Sequence, residues 1–301
     1  MSFLKEIEEK KSALKKAEVV KKAEFANPIL KDEEDYYRLL RETYFEDYYD
    51  LIKDFTFKSD IRSLSLEEIR SLLQANKEFR ETGSSNTVDL TSVKDKIDES
   101  IAAIREVTGS ECKVFVRFSS RSPKDAIYHL DAFPNLIQEK LQQLNNSTDI
   151  YAKLHAFYMA STEILAISSG SEAVDLFRKS SRIVGDLEHC VEVTEPMNLI
   201  VREFVQFPVR SELRGFVYEG SLTALTQYNR TCYFPDQLET KAEVEEKVRT
   251  FMEGFIVAMR SLLESFVVDI VVDTAGQVWV VEVNPFGELA DSCLFSWTKD
   301  R

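Results

Sequence analysis

The chain has few of the side chains that carry most metal and nucleophile chemistry. Its 301 residues include three histidines and four cysteines, and no two cysteines form a Cys-x-x-Cys pair. A zinc centre or a disulfide framework is therefore not expected. The sequence around the histidines shows no nucleophile–base arrangement, so we interpret each histidine as a core or surface residue.

The sequence also lacks the common glycine-rich phosphate-binding motifs and any long apolar run. Neither the P-loop pattern nor Gly-x-Gly-x-x-Gly occurs. No segment approaches the roughly 20 apolar residues that a membrane-spanning helix needs. The first ten residues are rich in lysine and glutamate and do not resemble a signal sequence. We therefore expect a cytoplasmic protein with no membrane partner.

An excess of acidic residues limits the possible partners further. Aspartate and glutamate number 52 against 38 lysines and arginines, which gives a net charge of −14. A nonspecific nucleic-acid binder needs an excess of cations to neutralise phosphates, so no nucleic-acid partner is expected. A local basic pocket for one nucleotide is still compatible with this charge. We expect a monomer.

The order of periodic segments predicts a mixed α+β chain. Residues 1–24 read as a charged amphipathic helix within a helical N-terminal extension, residues 1–54. The remaining residues, 55–301, are predicted to form the main domain, with subdomains of roughly 55–198 and 199–301. Helices dominate the first subdomain and antiparallel strands the second.

The last predicted hairpin carries oxygen-bearing side chains among valines. Two runs rich in valine and isoleucine flank the polar turn Asp273–Gly276. A four-residue turn would place Asp269, Glu282 and Asn284 on one face, together with Val280. Two carboxylates and an amide oxygen suit a hard cation such as Mg2+. A solvated acidic sheet face is the alternative, and an odd-length turn would send Asp269 to the opposite face from Glu282.

Cationic residues elsewhere supply candidate phosphate ligands. Arg117 lies near the end of the predicted strand 113–118 and Lys124 follows in a polar loop, and both suit phosphate oxygens. Arg202 and Arg214 lie on later predicted strands, where an arginine suits a phosphate or a carboxylate. Each signal alone is weak, and a surface turn or a cross-strand ion pair is the alternative. Together with the hairpin they are the parts of a Mg-nucleotide site.

These segments occur in an order that resembles the cell division cycle protein 123 family. The similarity runs from about residue 55 to 297, and Asn284–Gly287 followed by Leu294–Trp297 is its most specific part. The resemblance implies an ATP-grasp-like fold, in which two α+β subdomains clamp a nucleotide, and binding of ATP with Mg2+. It also implies an assembly chaperone for eukaryotic translation initiation factor 2, with its gamma subunit as partner. The alternative is an ATP-grasp ligase that forms an acyl phosphate on a small molecule or protein.

The resemblance also implies roles for individual residues. Asp269, Glu282 and Asn284 match the family's metal-ligand positions. Arg117 and Arg214 match positions that contact ATP phosphates. The other nucleotide-binding positions are Lys124 and Asp125 in the loop, Arg202, and the adenine-facing linker Glu203, Phe204 and Val205.

The chain departs from the family pattern at several of these places. Glu282 stands where the family usually has aspartate, and Arg117 stands where it usually has lysine. The loop segment Ser119–Pro123 lacks the family's tryptophan, and residues 1–54 do not resemble the family's usual start. The resemblance therefore supports nucleotide binding more strongly than it supports the initiation-factor partner.

Overall fold

The computed structural model describes residues 33–84 and 87–300. The chain divides into two compact units, Met1–Leu39 and Leu40–Arg301. Helix α1 (Glu33–Arg41) is the first described element, and the helix predicted over residues 1–24 lies outside the described residues. Residues 40–54, which we predicted to belong to an N-terminal extension, form part of the second unit.

The first half of the second unit contains most of the helices and a three-stranded antiparallel sheet. Its strands are β1 (Ser59–Leu64), β2 (Val114–Phe118) and β3 (Met197–Glu203), with β3 in the centre. The helices are α2 (Phe45–Ile52), α3 (Leu66–Thr82), α4 (Thr91–Thr108), α5 (Phe133–Gln143), α6 (Ile150–Glu163), α7 (Gly170–Lys179) and α8 (Val184–Val193). A short 3-10 helix, Lys124–His129, follows β2.

The second half is built on a four-stranded antiparallel sheet with strand order β5-β4-β6-β7. Its elements are β4 (Glu212–Tyr218), β5 (Ser221–Gln227), the long helix α9 (Pro235–Met259), β6 (Phe266–Val272) and β7 (Val278–Pro285). The predicted subdomain boundary at residues 198 and 199 falls inside β3, which pairs only with strands of the first sheet. The connection between the two sheets is the linker 204–208.

One face of the four-stranded sheet is the centre of the main core. Its apolar residues pack against α2 and α9 in a continuous cluster, and burying each such side chain contributes about 1.5–3 kcal/mol. The residues that form this contact are Phe266, Val268, Ile270, Val280 and Val283 from the sheet, Phe45, Tyr48 and Ile52 from α2, and Phe255 and Met259 from α9. The opposite face of the sheet is therefore free to carry polar side chains.

Local sequence signals explain some of the element boundaries. Ser65 caps α3, because its side chain accepts a hydrogen bond from the Glu68 amide while the Glu68 carboxylate accepts one from the Ser65 amide. Strand β1 was not predicted from the sequence. It is an edge strand in which only Leu64 is buried, so it lacks the alternation of a half-buried strand. In the described part of the chain, no helix is long and apolar enough to cross a membrane.

Candidate functional site

The β6–β7 hairpin places Asp269 directly opposite Glu282. The turn comprises residues 273–277, one more than the four predicted, and this change alone would separate the two carboxylates. The longer turn pairs Ile270 with Val280, and a β-bulge between Ile270 and Asp269 then shifts the register so that Asp269 pairs with Glu282. Val280 consequently faces the core, contrary to our prediction, while the two acidic residues still share a face.

Strand β4 adds charged residues to the same face of the sheet. Arg214 pairs across from Asp269, and Glu212 lies two positions earlier on the same side of β4. On the outer strand, a second bulge places Thr226 opposite Arg214. Glu212 was not among the predicted site residues, although its spacing from Arg214 could have identified it.

The carboxylates of Asp269 and Glu282 are both held by arginines. Arg214 donates from Nε and Nη2 to the two carboxylate oxygens of Asp269, each at 2.7 Å. The Asn284 amide donates to Asp269 Oδ2 at 3.3 Å. Arg117 reaches from β2 in the other sheet, and its Nη1 lies 2.6 Å from Glu282 Oε1. Two predicted phosphate ligands, Arg117 and Arg214, are thus paired with two predicted metal ligands, Glu282 and Asp269.

Burial and pairing together set the charge of these groups. Burial alone would raise the pKa of Glu282, but Arg117 and nearby cations outweigh it and lower this pKa to about 2. Although burial acts against a charged guanidinium, Asp269 raises the pKa of Arg214 above its usual value. Glu282 and Arg214 therefore keep their charges at neutral pH.

Glu212 has a different electrostatic environment. Burial raises the pKa of Glu212 to about 7, and the nearby charges of Asp269 and Glu282 add to this while Lys124 acts against it. Because a shift of one pKa unit corresponds to about 1.4 kcal/mol, ionising Glu212 in the folded protein is costly. Nearby cations thus stabilise the charged form of Glu282 but do not offset the burial of Glu212.

A cavity of about 390 Å3 lies between the two sheets. Its charged wall includes Arg117, Lys124, Arg202, Glu212 and Glu282. Much of the remaining wall is aromatic or aliphatic, and includes Phe57, Phe115, Leu165, Phe204 and Phe207. Asp269, Asn284 and Arg214 are not among the cavity-lining residues, so of the predicted metal ligands only Glu282 faces the cavity. Arg214 instead stacks on Tyr228, a cavity-lining residue whose ring centroid is 4.9 Å from the guanidinium carbon.

Arg202 is the most unusual cation in the cavity wall. Its Nη1 donates to the Val281 carbonyl at 2.7 Å, and its Nη2 donates to Thr56 Oγ1 at 2.8 Å. The guanidinium also lies over the ring of Phe45. Its Nε is buried and has no hydrogen-bond partner among the described residues. Burial lowers the pKa of Arg202 to about 10, which still leaves it charged at neutral pH.

The predicted adenine linker and Asp125 line the cavity but already make contacts within the fold. The Glu203 and Phe204 amides donate to backbone carbonyls of neighbouring strand segments at 2.7 and 2.9 Å. Val205 is partly exposed at the cavity. The carboxylate of Asp125 accepts hydrogen bonds from Ser180, Ser181 and Arg182, so it fixes the loop between α7 and α8.

The cations of the cavity wall suit phosphate groups directly, whereas the carboxylates of the predicted metal site already form ion pairs with arginines. Arg202 lines the cavity together with Arg117 and Lys124, and these cations suit phosphate oxygens. Two carboxylates and an amide oxygen have the chemistry that Mg2+ prefers. Both carboxylates contact arginines, however, and no cluster of three or more His, Cys, Asp or Glu side chains suited to a metal occurs within residues 33–84 and 87–300. A cation would therefore have to share a carboxylate with its arginine or displace that arginine.

Comparison with known proteins identifies the family. Residues 53–299 match the family model described as D123. The translation initiation factor eIF2 assembly protein of Xenopus laevis is 28% identical, over 55% of this chain and 52% of the relative. The protein of the same description from Candida albicans is 26% identical, over 69% of this chain and 52% of the relative. The chain spans about half the length of the curated relatives it matches.

The solved structure of Cdc123 from Schizosaccharomyces pombe has a similar fold. Its sequence is 17% identical, the TM-score is 0.61, and the match covers 87% of this chain and 90% of that one. The predicted α+β, ATP-grasp-like fold is thereby confirmed. With most of its length matched by one family model, the chain belongs to the D123 family, the family of cell division cycle protein 123.

Proposed function

We propose that the chain binds ATP together with Mg2+ in the cavity between its two sheets. The observation that carries this proposal is a group of three cations in the cavity wall, Arg117, Lys124 and Arg202. Phosphate oxygens accept strong, charge-assisted hydrogen bonds from arginine and lysine side chains. The apolar part of the wall suits the flat face of a nucleobase.

Each part of the nucleotide has a proposed set of contacts. Arg117, Arg202 and Lys124 would hold the phosphate chain. Glu282 would hold Mg2+ from the cavity wall. Asp269 and Asn284, which lie behind the wall on the same face of the sheet, would complete the set of metal ligands. When bound, Mg2+ neutralises the phosphate oxygens. Arg214 would keep Asp269 in place rather than contact the phosphates, because its guanidinium is already paired with that carboxylate.

We further propose that the chain acts as an assembly chaperone for translation initiation factor 2. The relatives from Xenopus laevis and Candida albicans are named as assembly proteins for this factor, which supports the proposal. The family resemblance favours the gamma subunit as the contact. The compartment would be the cytoplasm and the active form a monomer. ATP would serve as a ligand that orders the two sheets against each other.

Calorimetric titration with ATP in excess Mg2+ tests the nucleotide site. We expect saturable binding to the wild type and a roughly tenfold or larger loss for Lys124→Met, since a hydrogen bond to a charged group contributes about 1.5–3 kcal/mol. Lys77→Met removes an exposed lysine from α3 and serves as the charge-matched control. Absence of binding to the wild type would refute the proposed site. Equal losses for both variants would refute the role of Lys124.

A binding assay with purified initiation-factor subunits tests the partner. We expect the isolated gamma subunit to bind the chain directly and to bind more tightly when ATP and Mg2+ are present. The alpha and beta subunits, assayed separately, are the controls. Release of ADP upon incubation with metabolites, without binding of the gamma subunit, would instead favour an ATP-grasp ligase.

A further inference from the structure

The two arginine–carboxylate pairs of the site differ in how easily they can open. The Asp269–Arg214 pair has two hydrogen bonds, and its side chains are 2% and 5% exposed. The Arg117–Glu282 pair has one contact at 2.6 Å, and the Glu282 side chain is 20% exposed at the cavity. The second pair therefore has the less confined carboxylate, and we call it the exchangeable pair.

Arg117 itself is fixed independently of Glu282. Its Nε donates to the Phe118 carbonyl at 3.0 Å, and its Nη2 donates to the Ser120 carbonyl at 3.1 Å. Only Nη1 is engaged by Glu282. If Glu282 turns away, the guanidinium keeps its orientation and presents Nη1 to the cavity, where a phosphate oxygen can accept its hydrogen bond.

We propose that Glu282 stays paired with Arg117 while the cavity is empty, and that this pair opens only when a divalent cation and the phosphate chain bind together. The cation takes the Glu282 carboxylate and the phosphate takes Arg117 Nη1. This exchange rests on the proposed ATP site. It predicts that the cation and the triphosphate each strengthen the binding of the other.

Binding of either ligand alone leaves an unpaired charge. A cation that draws Glu282 away from Arg117 without phosphate leaves this arginine, which is 3% exposed, without its ion-pair partner and adds positive charge beside Arg202 and Lys124. Phosphate at Arg117 without a cation leaves the Glu282 carboxylate beside a polyanion. An unpaired buried charge is strongly unfavourable, so both single-ligand states are weak. The metal–triphosphate complex replaces both partners at once.

The exchange can be measured as the ratio of ATP affinities with and without metal. Calorimetry would be run at pH 8 with ATP in excess Mg2+ and again in EDTA. For the wild type we expect metal to strengthen binding by about tenfold or more, within the usual 5- to 150-fold range of coupling between ligands. In Glu282→Gln, Arg117 is no longer held by a carboxylate. Metal-free affinity should therefore rise, and the ratio should fall to about threefold or less.

Glu245→Gln is the matched control. It removes a carboxylate at an exposed position on α9 and leaves the exchangeable pair intact, so its ratio should equal that of the wild type. The exchange is refuted if Glu282→Gln keeps the wild-type ratio, or if its metal-free affinity falls. If the wild type binds no ATP in Mg2+, the proposed function itself fails, and that result is distinguishable from the first two.

Urea unfolding without ligand establishes that each variant is folded. Should Glu282→Gln fail to fold, Glu282→Asp provides the second test. Its side chain is one methylene shorter and keeps the charge, so the contact with Arg117 lengthens. We then expect the ratio of ATP affinities with and without metal to lie between the wild-type value and one, the value without coupling. An unchanged ratio would refute the exchange.

Discussion

Replacing Asp269 by alanine is expected to lower the free energy of unfolding by roughly 3–5 kcal/mol, in the absence of any ligand. Asp269 is 1% exposed and is the bidentate partner of Arg214, which is 4% exposed. Without the carboxylate, the guanidinium is left charged in the sheet interior. Its one remaining hydrogen bond, to the Asp291 carbonyl, does not replace a counter-ion.

Urea unfolding monitored by tryptophan fluorescence gives this loss directly. The matched control is the double variant Asp269→Leu with Arg214→Met, which removes both charges and keeps similar volume. Exchanging a buried ion pair for apolar residues is often neutral, so the double variant should recover most of the lost stability. A loss below about 1 kcal/mol in Asp269→Ala would contradict a buried, tightly coupled pair.

The sequence alone brought Asp269 and Glu282 to one face by reasoning that contained a wrong turn length. The turn has one residue more than predicted, and the bulge beside Asp269 compensates for it. Period-two alternation determines which residues share a face only until a bulge inserts an extra residue. A bulge depends on contacts across strands, so the hydrophobic pattern did not reveal it. The longer turn, which pairs Val280 with Ile270, explains why Val280 was assigned to the wrong face.

The sequence also did not predict which charged residues pair with each other. Arg117 and Arg214 were predicted to contact phosphates, and the structure pairs them with Glu282 and Asp269. Residue types and spacing show that cations and carboxylates are available, but not which of them meet across two sheets. The unpartnered Nε of Arg202 depends in turn on the hydrogen bonds of its other nitrogens, which only the folded chain defines.

Glu212→Gln is expected to change how stability depends on pH. The pKa of Glu212 rises from 4.5 to about 7 on folding. Between these values the folded protein binds more protons than the unfolded chain, so rising pH favours unfolding. The stabilising contribution of protonated Glu212 is therefore complete below pH 4.5 and lost as pH rises through about 7. Glutamine is neutral throughout and does not lose it.

The measurement is the difference in unfolding free energy between Glu212→Gln and wild type, from urea titrations at pH 5 and pH 8 without ligand. We expect this difference to move in favour of the variant by about 2 kcal/mol over that interval. Glu245→Gln, at an exposed position on α9, provides the baseline. A difference that is equal at both pH values would show that Glu212 ionises freely in the folded protein. A difference that moves toward the wild type would mean that a cation holds the Glu212 carboxylate in its charged form.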